Sequence, residues 1–287
     1  MHDATRRGLD TGFGRLIADC SLDMIGRHRD ELPATAAILP RGTRVHIGAA
    51  REESAATHRA TSAAVANLGL TPIPHLAARR IPSTGALDDI LEGLQHDGTS
   101  DHMLVLGGDP VVPEGPFDSA LDVIRAARLR AYGVRTVSVG GYPDGHPKIS
   151  DRTLWAALTA KLDELAAQGL NAEICTQIVL SAGSALSWIE AVRDRGITVP
   201  IRVGAIGPIE PARLVGYVRR VGIAADEAVL ARYGVGPSAG AERVGPERLV
   251  SDLAERLNPA VHGDVRLHLF SLGGLRATAE WLASQGR

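Results

Sequence analysis

Apolar and polar residues follow one another along this chain in a repeating beat. A short β-branched or aliphatic run gives way to Gly, Pro or a polar loop, and an Ala/Leu-rich segment of helical period follows. The pattern predicts eight strands: Ile17 to Asp23, Arg44 to Ile47, Thr71 to His75, His102 to Leu106, Arg135 to Val139, Glu173 to Val179, Ile201 to Ile206 and Val265 to Phe270. Between them it predicts helices over Glu53 to Asn67, Gly85 to Gln95, Pro116 to Ala131, Arg152 to Gln168, Ala185 to Arg195 and Glu210 to Val221, with a closing helix over Leu275 to Ser284. Ser150 or Asp151 can cap the Arg152 helix and Gly169 can end it. Asp118 and Ser119 fall in the first turn of another helix, where they suit the unpaired N–H groups and the dipole.

Strands alternating with helices allow a closed barrel or an open doubly wound sheet, and the count of eight favours the (β/α)8 barrel, or TIM barrel. The 287 residues suit one such domain over residues 1–287. Residues 224–258 hold two helical stretches and a Gly/Pro-rich break from Tyr233 to Pro246. They read as an elaboration between strands seven and eight: a surface insertion, a lid or an oligomer contact. The first dozen residues read as a loose arm.

Composition changes this picture in a few places. Aromatic residues make up only 3% of the chain, so the core must be built from Ala, Leu, Val and Ile, which suits helices laid on a parallel sheet. A net charge of −2 points to neither nucleic acid nor an anionic membrane as partner. The Arg79-Arg80 and Arg219-Arg220 pairs read as solvated helix ends or loops. Cys20 and Cys175 lie inside strand segments without CxxC spacing; they read as packing residues, with no disulfide framework, no thiolate zinc site and no metal expected. Without an apolar leader or a run of about 18 apolar residues, the expectation is a cytoplasmic protein. Walker, GxGxxG, HExxH and GxSxG patterns are all absent from the sequence.

A barrel carries its chemistry where the strands end. The strand ends offer Asp23, then Gly48-Ala49-Ala50, His75, Gly107-Gly108-Asp109-Pro110, Gly140-Gly141-Tyr142-Pro143, Thr176-Gln177 and Gly204-Ala205-Ile206-Gly207-Pro208. Small residues recur there, allowing a ligand to approach the backbone, and polar residues of several types converge on one rim. Singly, each has a plainer reading. Asp23 is either a functional acid or a capping carboxylate, Asp109 either a ligand contact or a turn former, and His75 either a ligand contact or a satisfied core histidine.

Several blocks, in order and spacing, resemble methylenetetrahydrofolate reductase. They are Pro74-His75-Leu76, Leu106-Gly107-Gly108-Asp109-Pro110, Gly141-Tyr142-Pro143-Asp144-Gly145-His146-Pro147, Lys161-Leu162-Asp163 and Thr176-Gln177, and the likeness covers about residues 17 to 210. The resemblance implies a barrel binding FAD at its rim, with hydride passing from NADH or NADPH through the flavin to 5,10-methylenetetrahydrofolate, giving 5-methyltetrahydrofolate. Carried over by position, His75, Gly108, Asp109, Tyr142, His146 and Lys161 would contact the flavin nucleotide, and Gln177 would hold the pterin. Asp109 would sit between flavin and folate. Asp23 stands where the family places a glutamate acid. The resemblance also implies a homo-oligomer.

The likeness departs at three places. The acid is an aspartate, Ala160 precedes the helix lysine where an arginine is usual, and Ile178-Val179-Leu180 replace an aromatic run. Two other readings therefore stay open: a folate reductase that uses NAD(P)H without flavin, and a folate-binding barrel or partner subunit without redox chemistry.

Overall fold

The computed structural model describes residues 12–48, 53–221, 231 and 243–285, with backbone only at 220 and 221. Helix α1 (Gly12–Ala18) precedes strand β1 (Ser21–Ile25), a 3-10 turn and the short α2 (Leu32–Ala36). The alternation then runs through β2 (Arg44–Gly48), α3 (Ala55–Asn67), β3 (Thr71–Ala77), α4 (Thr84–His96), β4 (His102–Leu106), α5 (Ala120–Ala126), β5 (Thr136–Gly141) and α6 (Asp151–Ala167). It continues with β6 (Asn171–Ile178), α7 (Ala182–Asp194), β7 (Ile201–Ile206), α8 (Pro211–Val221), α9 (Glu247–Arg256), α10 (Pro259–His262), β8 (Val265–Phe270) and α11 (Leu275–Gln285). All eight strands are parallel, pair in sequence order and close β8 onto β1. The (β/α)8 barrel expected from the pattern is the fold.

Local chemistry sets the element ends. Ser54, Ser83 and Ser150 cap α3, α4 and α6 by accepting the backbone N–H of Thr57, Ala86 and Thr153. After α6 the chain turns at Gly169, whose φ of +66° would strain any residue with a Cβ. His58 on α3 donates Nε2–H to the Ile47 carbonyl at 2.9 Å and so pins that helix to β2.

Several boundaries shift by two or three residues, among them β3, which runs past His75 to Ala77, and β6, which starts at Asn171; two elements differ more. The apolar run from Ile17 is split: Ile17 and Ala18 end α1, and the strand begins at Ser21 and continues past Asp23 to Ile25. Asp23 therefore lies within β1, in register with His46. Such a run has no period to separate a helix end from a strand start, and packing of α1 against α9 and β8 decides it. The helix expected over Pro116 to Ala131 shrinks to Ala120–Ala126. Ser119 is its N-cap, Asp118 precedes it, and the Asp122 carboxylate accepts both of their N–H groups. Ala127 is extended, and a 3-10 turn at Leu129–Tyr132 follows. About half of the elaboration proposed for 224–258 lies outside the described residues, as does most of the N-terminal arm; its continuous described part, residues 243–258, pairs Val244 with Ile209 and carries α9.

Alternation along each strand sorts the core into two shells. Leu22, Val45, Met103, Val137, Ile174 and Leu267 are fully or almost fully buried between sheet and helices. The inward positions are unusually polar for a barrel, whose interior is more often branched aliphatic. Near the strand starts, the buried Arg202 donates Nε–H to Glu173 Oε2 at 2.8 Å and its terminal N–H groups to the Asp19 carbonyl and carboxylate. Ser138 donates to Glu173 Oε1 at 3.0 Å and lies 2.8 Å from His102 Nε2, while Arg44 reaches Glu173 Oε2 at 3.4 Å. One tier higher stand His46, Cys175 and His268, beside the small apolar cluster of Ile73, Leu104 and Cys175.

The Arg202 guanidinium is 1% exposed, so it tolerates no loss of its counter-charge. Glu173→Gln should lower the free energy of unfolding by about 3 kcal/mol, the low end for a broken buried pair because Asp19 remains on the guanidinium. Denaturant unfolding measures this; a loss below about 1 kcal/mol would mean the pair is no stronger than a surface one.

Candidate active site

The C-terminal ends of β1, β3, β4, β5, β6 and β8 carry the polar groups. Asp23 accepts the Ser271 N–H on Oδ1 at 2.5 Å, tying β1 to the residue just past β8. Burial is the larger influence on this carboxyl and pushes its pKa up to about 6, against the lowering effect of the Ser271 N–H. A group so placed keeps a proton much closer to neutral pH than an ordinary aspartate does. His75, on β3, lies with Nε2 3.2 Å from His46 Nδ1, and burial pushes it down to about 3, so its ring is neutral. Phe270 and His268 meet edge to face at 4.7 Å on β8.

Strand β6 breaks its register against β7 between Cys175 and Ile178. The irregularity has a cause in sequence: a Cβ on Gly204 of β7 would stand 2.7 and 2.8 Å from the Thr176 and Gln177 carbonyls, so only glycine lets the displaced strand come so close. Thr176 Oγ1 accepts the Gly204 N–H at 2.9 Å and donates to the Gln177 carbonyl at 2.8 Å. Gln177 folds its Oε1 onto the Ile178 N–H at 2.9 Å. The side-chain carbonyl is thereby held by the strand itself, which leaves the NH2 group as the donor for a ligand.

After β4, Gly107 has open space where a Cβ would stand, and Gly108 turns the chain at φ +92°. Asp109 follows and pairs with Arg80, whose Nη2 approaches Oδ1 to 2.6 Å. Arg79 donates to the carbonyls of Asp118, Pro110 and Val111. The two arginines are thus the ties that shape the β4 loop, which corrects their reading as a solvated pair; nothing in the sequence links them to a loop some thirty positions away. Arg219 is exposed as expected, and the side chain of Arg220 lies outside the described residues.

After β5, Tyr142 packs over Gly140 and meets His146 edge to face at 5.7 Å. Asp144 accepts a short hydrogen bond from Ser184 at the start of α7. Beneath this loop is a cavity of about 330 Å³ lined by Gly141, Tyr142, Asp144, Asp151, Trp155 and Trp188. Trp155 and Trp188 stack at 5.7 Å, and the Arg195 guanidinium lies 3.9 Å over the Trp155 ring. Residues Asp151, Leu158 and Lys161 recur at helical spacing on α6. Lys161 is only 8% exposed, makes no ion pair among the described residues, and is pushed down to about 8 by burial. A larger cavity, about 540 Å³, opens at the opposite end of the barrel beside Arg15, Asp264 and Arg266, away from the rim where barrel chemistry resides.

Of the residues singled out in the sequence, then, Asp23, His75 and Gln177 belong to strands that line the barrel mouth, and Asp109, Tyr142 and His146 to the neighbouring β4 and β5 loops. Lys161 stands in the helical layer behind them. Sequence reasoning missed Arg80, Ser271 and the Trp155–Trp188 pair. Their partners are distant in the chain, and a tryptophan in a helix carries no local mark of the loop it supports.

A family model described as methylenetetrahydrofolate reductase matches residues 30–283. Methylenetetrahydrofolate reductase 2 of Saccharomyces cerevisiae is 31% identical over 148 residues, 48% of this chain and 23% of the yeast protein. Methylenetetrahydrofolate reductase (NADH) 1 of Zea mays is 30% identical over 160 residues, 52% of this chain and 26% of the maize protein. The matched part is about a quarter of each relative. Among solved structures, an uncharacterized protein from Clostridium thermocellum that binds two copies of 5-methyl-5,6,7,8-tetrahydrofolic acid superposes with a TM-score of 0.62 over 93% of both chains, at 11% identity, a likeness of fold. With the family match running from residue 30 to residue 283, through the β3, β4, β5 and β6 ends just described, this chain belongs to the methylenetetrahydrofolate reductase family.

Proposed function

We propose that this protein reduces 5,10-methylenetetrahydrofolate to 5-methyltetrahydrofolate, with NAD(P)H as the hydride source and FAD as the relay. Family membership supports the folate reductase class, and the observation that carries the reading to a mechanism is Asp23, a half-buried carboxyl at the barrel mouth whose pKa burial pushes up to about 6. The substrate's five-membered ring must open before it can accept hydride. Asp23 donates its proton to the departing ring nitrogen, the carbon–nitrogen bond breaks, and the methylene carbon is left as an iminium that takes up the hydride to become a methyl group. The Ser271 N–H fixes one carboxyl oxygen, so the other is aimed by a bond to backbone and not by a flexible partner. With the strand carrying Asp23 extending to Ile25, the shorter acid sits at a defined height in the barrel, and its reach depends on how deep the pterin enters.

Gln177 offers its NH2 group to the pterin, while its carbonyl is held by Ile178. His75, neutral and bonded to His46, can offer or accept one hydrogen bond without adding charge. The residues present also suit FAD. A lysine buried without a carboxylate partner calls for an anion, which the pyrophosphate supplies, and the bare Gly107–Gly108 backbone lets a flat ring approach closely. Tyr142, His146 and the stacked indoles offer aromatic surface for the nucleotide end. When bound, FAD supplies hydride transfer between the nicotinamide and the folate carbon. The Asp109–Arg80 pair holds a carboxylate at the edge of that space. The protein is proposed to act as a single barrel domain, in the cytoplasm, as a homo-oligomer; among the described residues no helix is long and apolar enough to cross a membrane.

Three measurements test this reading. The freshly purified protein, or protein mixed with FAD, should show a flavin absorbance band that bleaches on anaerobic addition of NADH or NADPH; a colourless protein that takes up no FAD would replace the flavin reading with direct hydride transfer or with folate binding alone. Asp23→Asn should cut turnover by about 10²-fold or more while folate still binds, and an unchanged rate would remove Asp23 from the chemistry. Lys161→Ala should weaken FAD binding about tenfold at low salt and less at high salt. In the unaltered protein the same affinity should fall as pH rises through about 8, because the ammonium that attracts the anion is lost above that point. FAD fluorescence titration reads both, and a Lys161→Ala protein that binds FAD as tightly as the parent at low salt overturns the assignment.

A further inference from the structure

We propose that His46, Cys175 and His268 form a binding site for a divalent cation of the zinc class, inside the barrel and one tier below the rim. The inference does not depend on the folate reading. The three residues come from three strands, β2, β6 and β8, and are 0%, 6% and 1% exposed. Each offers one ligand atom, and the three atoms lie within 4.8 Å of one another. Settling onto a tetrahedral ion with bonds of about 2.0–2.3 Å asks each of them to move by only a fraction of that distance.

The strongest sign is His46 Nε2, a buried nitrogen without a hydrogen-bond partner among the described residues. A polar atom left unpaired in the core is costly, and a metal ion would satisfy it. The outer nitrogens point the same way. His46 Nδ1 lies 3.2 Å from His75 Nε2, and His268 Nδ1 lies 2.9 Å from Ser21 Oγ. The Ser21 hydroxyl is itself 3.4 Å from the Leu267 carbonyl, which can only accept. In the metal-bound site Ser21 turns its proton to Leu267 and accepts from His268 Nδ1–H, which leaves the lone pair of His268 on Nε2 for the ion. Histidines that bind metals characteristically donate their other N–H in this manner, which fixes the tautomer and the ring orientation. Both rings here have such a partner. They stand 4.3 Å apart between centroids at 55° to each other.

Two imidazole nitrogens and one thiolate suit zinc, which leaves a fourth position for solvent or another small donor. A search for CxxC or HExxH cannot find this set, because 128 positions separate His46 from the nearest other ligand, Cys175, and barrel closure alone brings them together. The site also has a consequence for the rim. A metal on His46 Nε2 keeps the proton on Nδ1, which then donates to His75 Nε2, so His75 must present Nδ1–H to whatever binds beside it.

The test uses untagged full-length protein expressed in zinc-supplemented medium under reducing conditions, and the same protein refolded with zinc. One equivalent of tightly held zinc is expected, with an X-ray absorption signature of one sulfur and two imidazole nitrogens. Replacement by cobalt(II) should give a thiolate-to-cobalt charge-transfer band that Cys175→Ser abolishes. His75→Gln, which touches the metal only through His46, should weaken zinc about tenfold. The site is rejected if both preparations hold substoichiometric zinc, if the bound zinc has only nitrogen and oxygen neighbours, or if Cys175→Ser binds it as tightly as the parent. Should Cys175→Ser fail to fold, the absorption spectrum of the unaltered protein decides alone.

Discussion

The Arg202–Glu173 pair inside the barrel is the constraint on which the rest depends. Eight strands closed on themselves leave room inside only for side chains, so every inward residue must find its partner among other inward residues. A guanidinium 1% exposed can persist there because Glu173, Asp19 and, through the shared carboxylate, Ser138, His102 and Arg44 complete its surroundings. Replacing such a network with apolar packing can cost nothing, but breaking it is expensive. Its members sit on β2, β4, β5, β6 and β7 and in the turn before β1, so they fix the relative heights of strands far apart in sequence.

Those heights set what the upper tiers can do. With Glu173 fixed at the base of β6, Cys175 faces the middle tier and the broken register beyond it carries Thr176 and Gln177 to the mouth. Gly204 is the concession on the neighbouring strand that makes the break possible. On the other side, Asp23 and Ser271 lock β1 to the chain leaving β8, the seam at which the barrel closes. The interior thus divides into a charged base, a histidine–cysteine middle and a mouth of hydrogen-bonding groups around a half-buried acid. The Tyr142 loop and the β4 loop extend that mouth outward, one braced on stacked tryptophans and the other on Arg79 and Arg80.

Much of this was legible in the sequence, for physical reasons. A parallel strand buried on both faces needs a continuous apolar or β-branched run, a helix laid on it needs a 3.6-residue stripe, and serines and glycines must mark the ends; all are local requirements written in adjacent residues. They determined eight strands, the barrel, the caps at Ser150 and Gly169, and the β4, β5 and β6 ends near which Asp109, Tyr142 and Gln177 stand; Asp23 and His75 lie two residues inside the ends of β1 and β3. The family's motifs, being short and ordered along the chain, could likewise be read without coordinates. Tertiary structure alone decided where Ile17 leaves helix for strand, since an apolar run without period fits either. It decided that Arg80 meets Asp109, that Ser271 holds Asp23, and that His46, Cys175 and His268 face one another. Such meetings are set by barrel closure, which joins positions by their height around the ring and not by their distance along the chain.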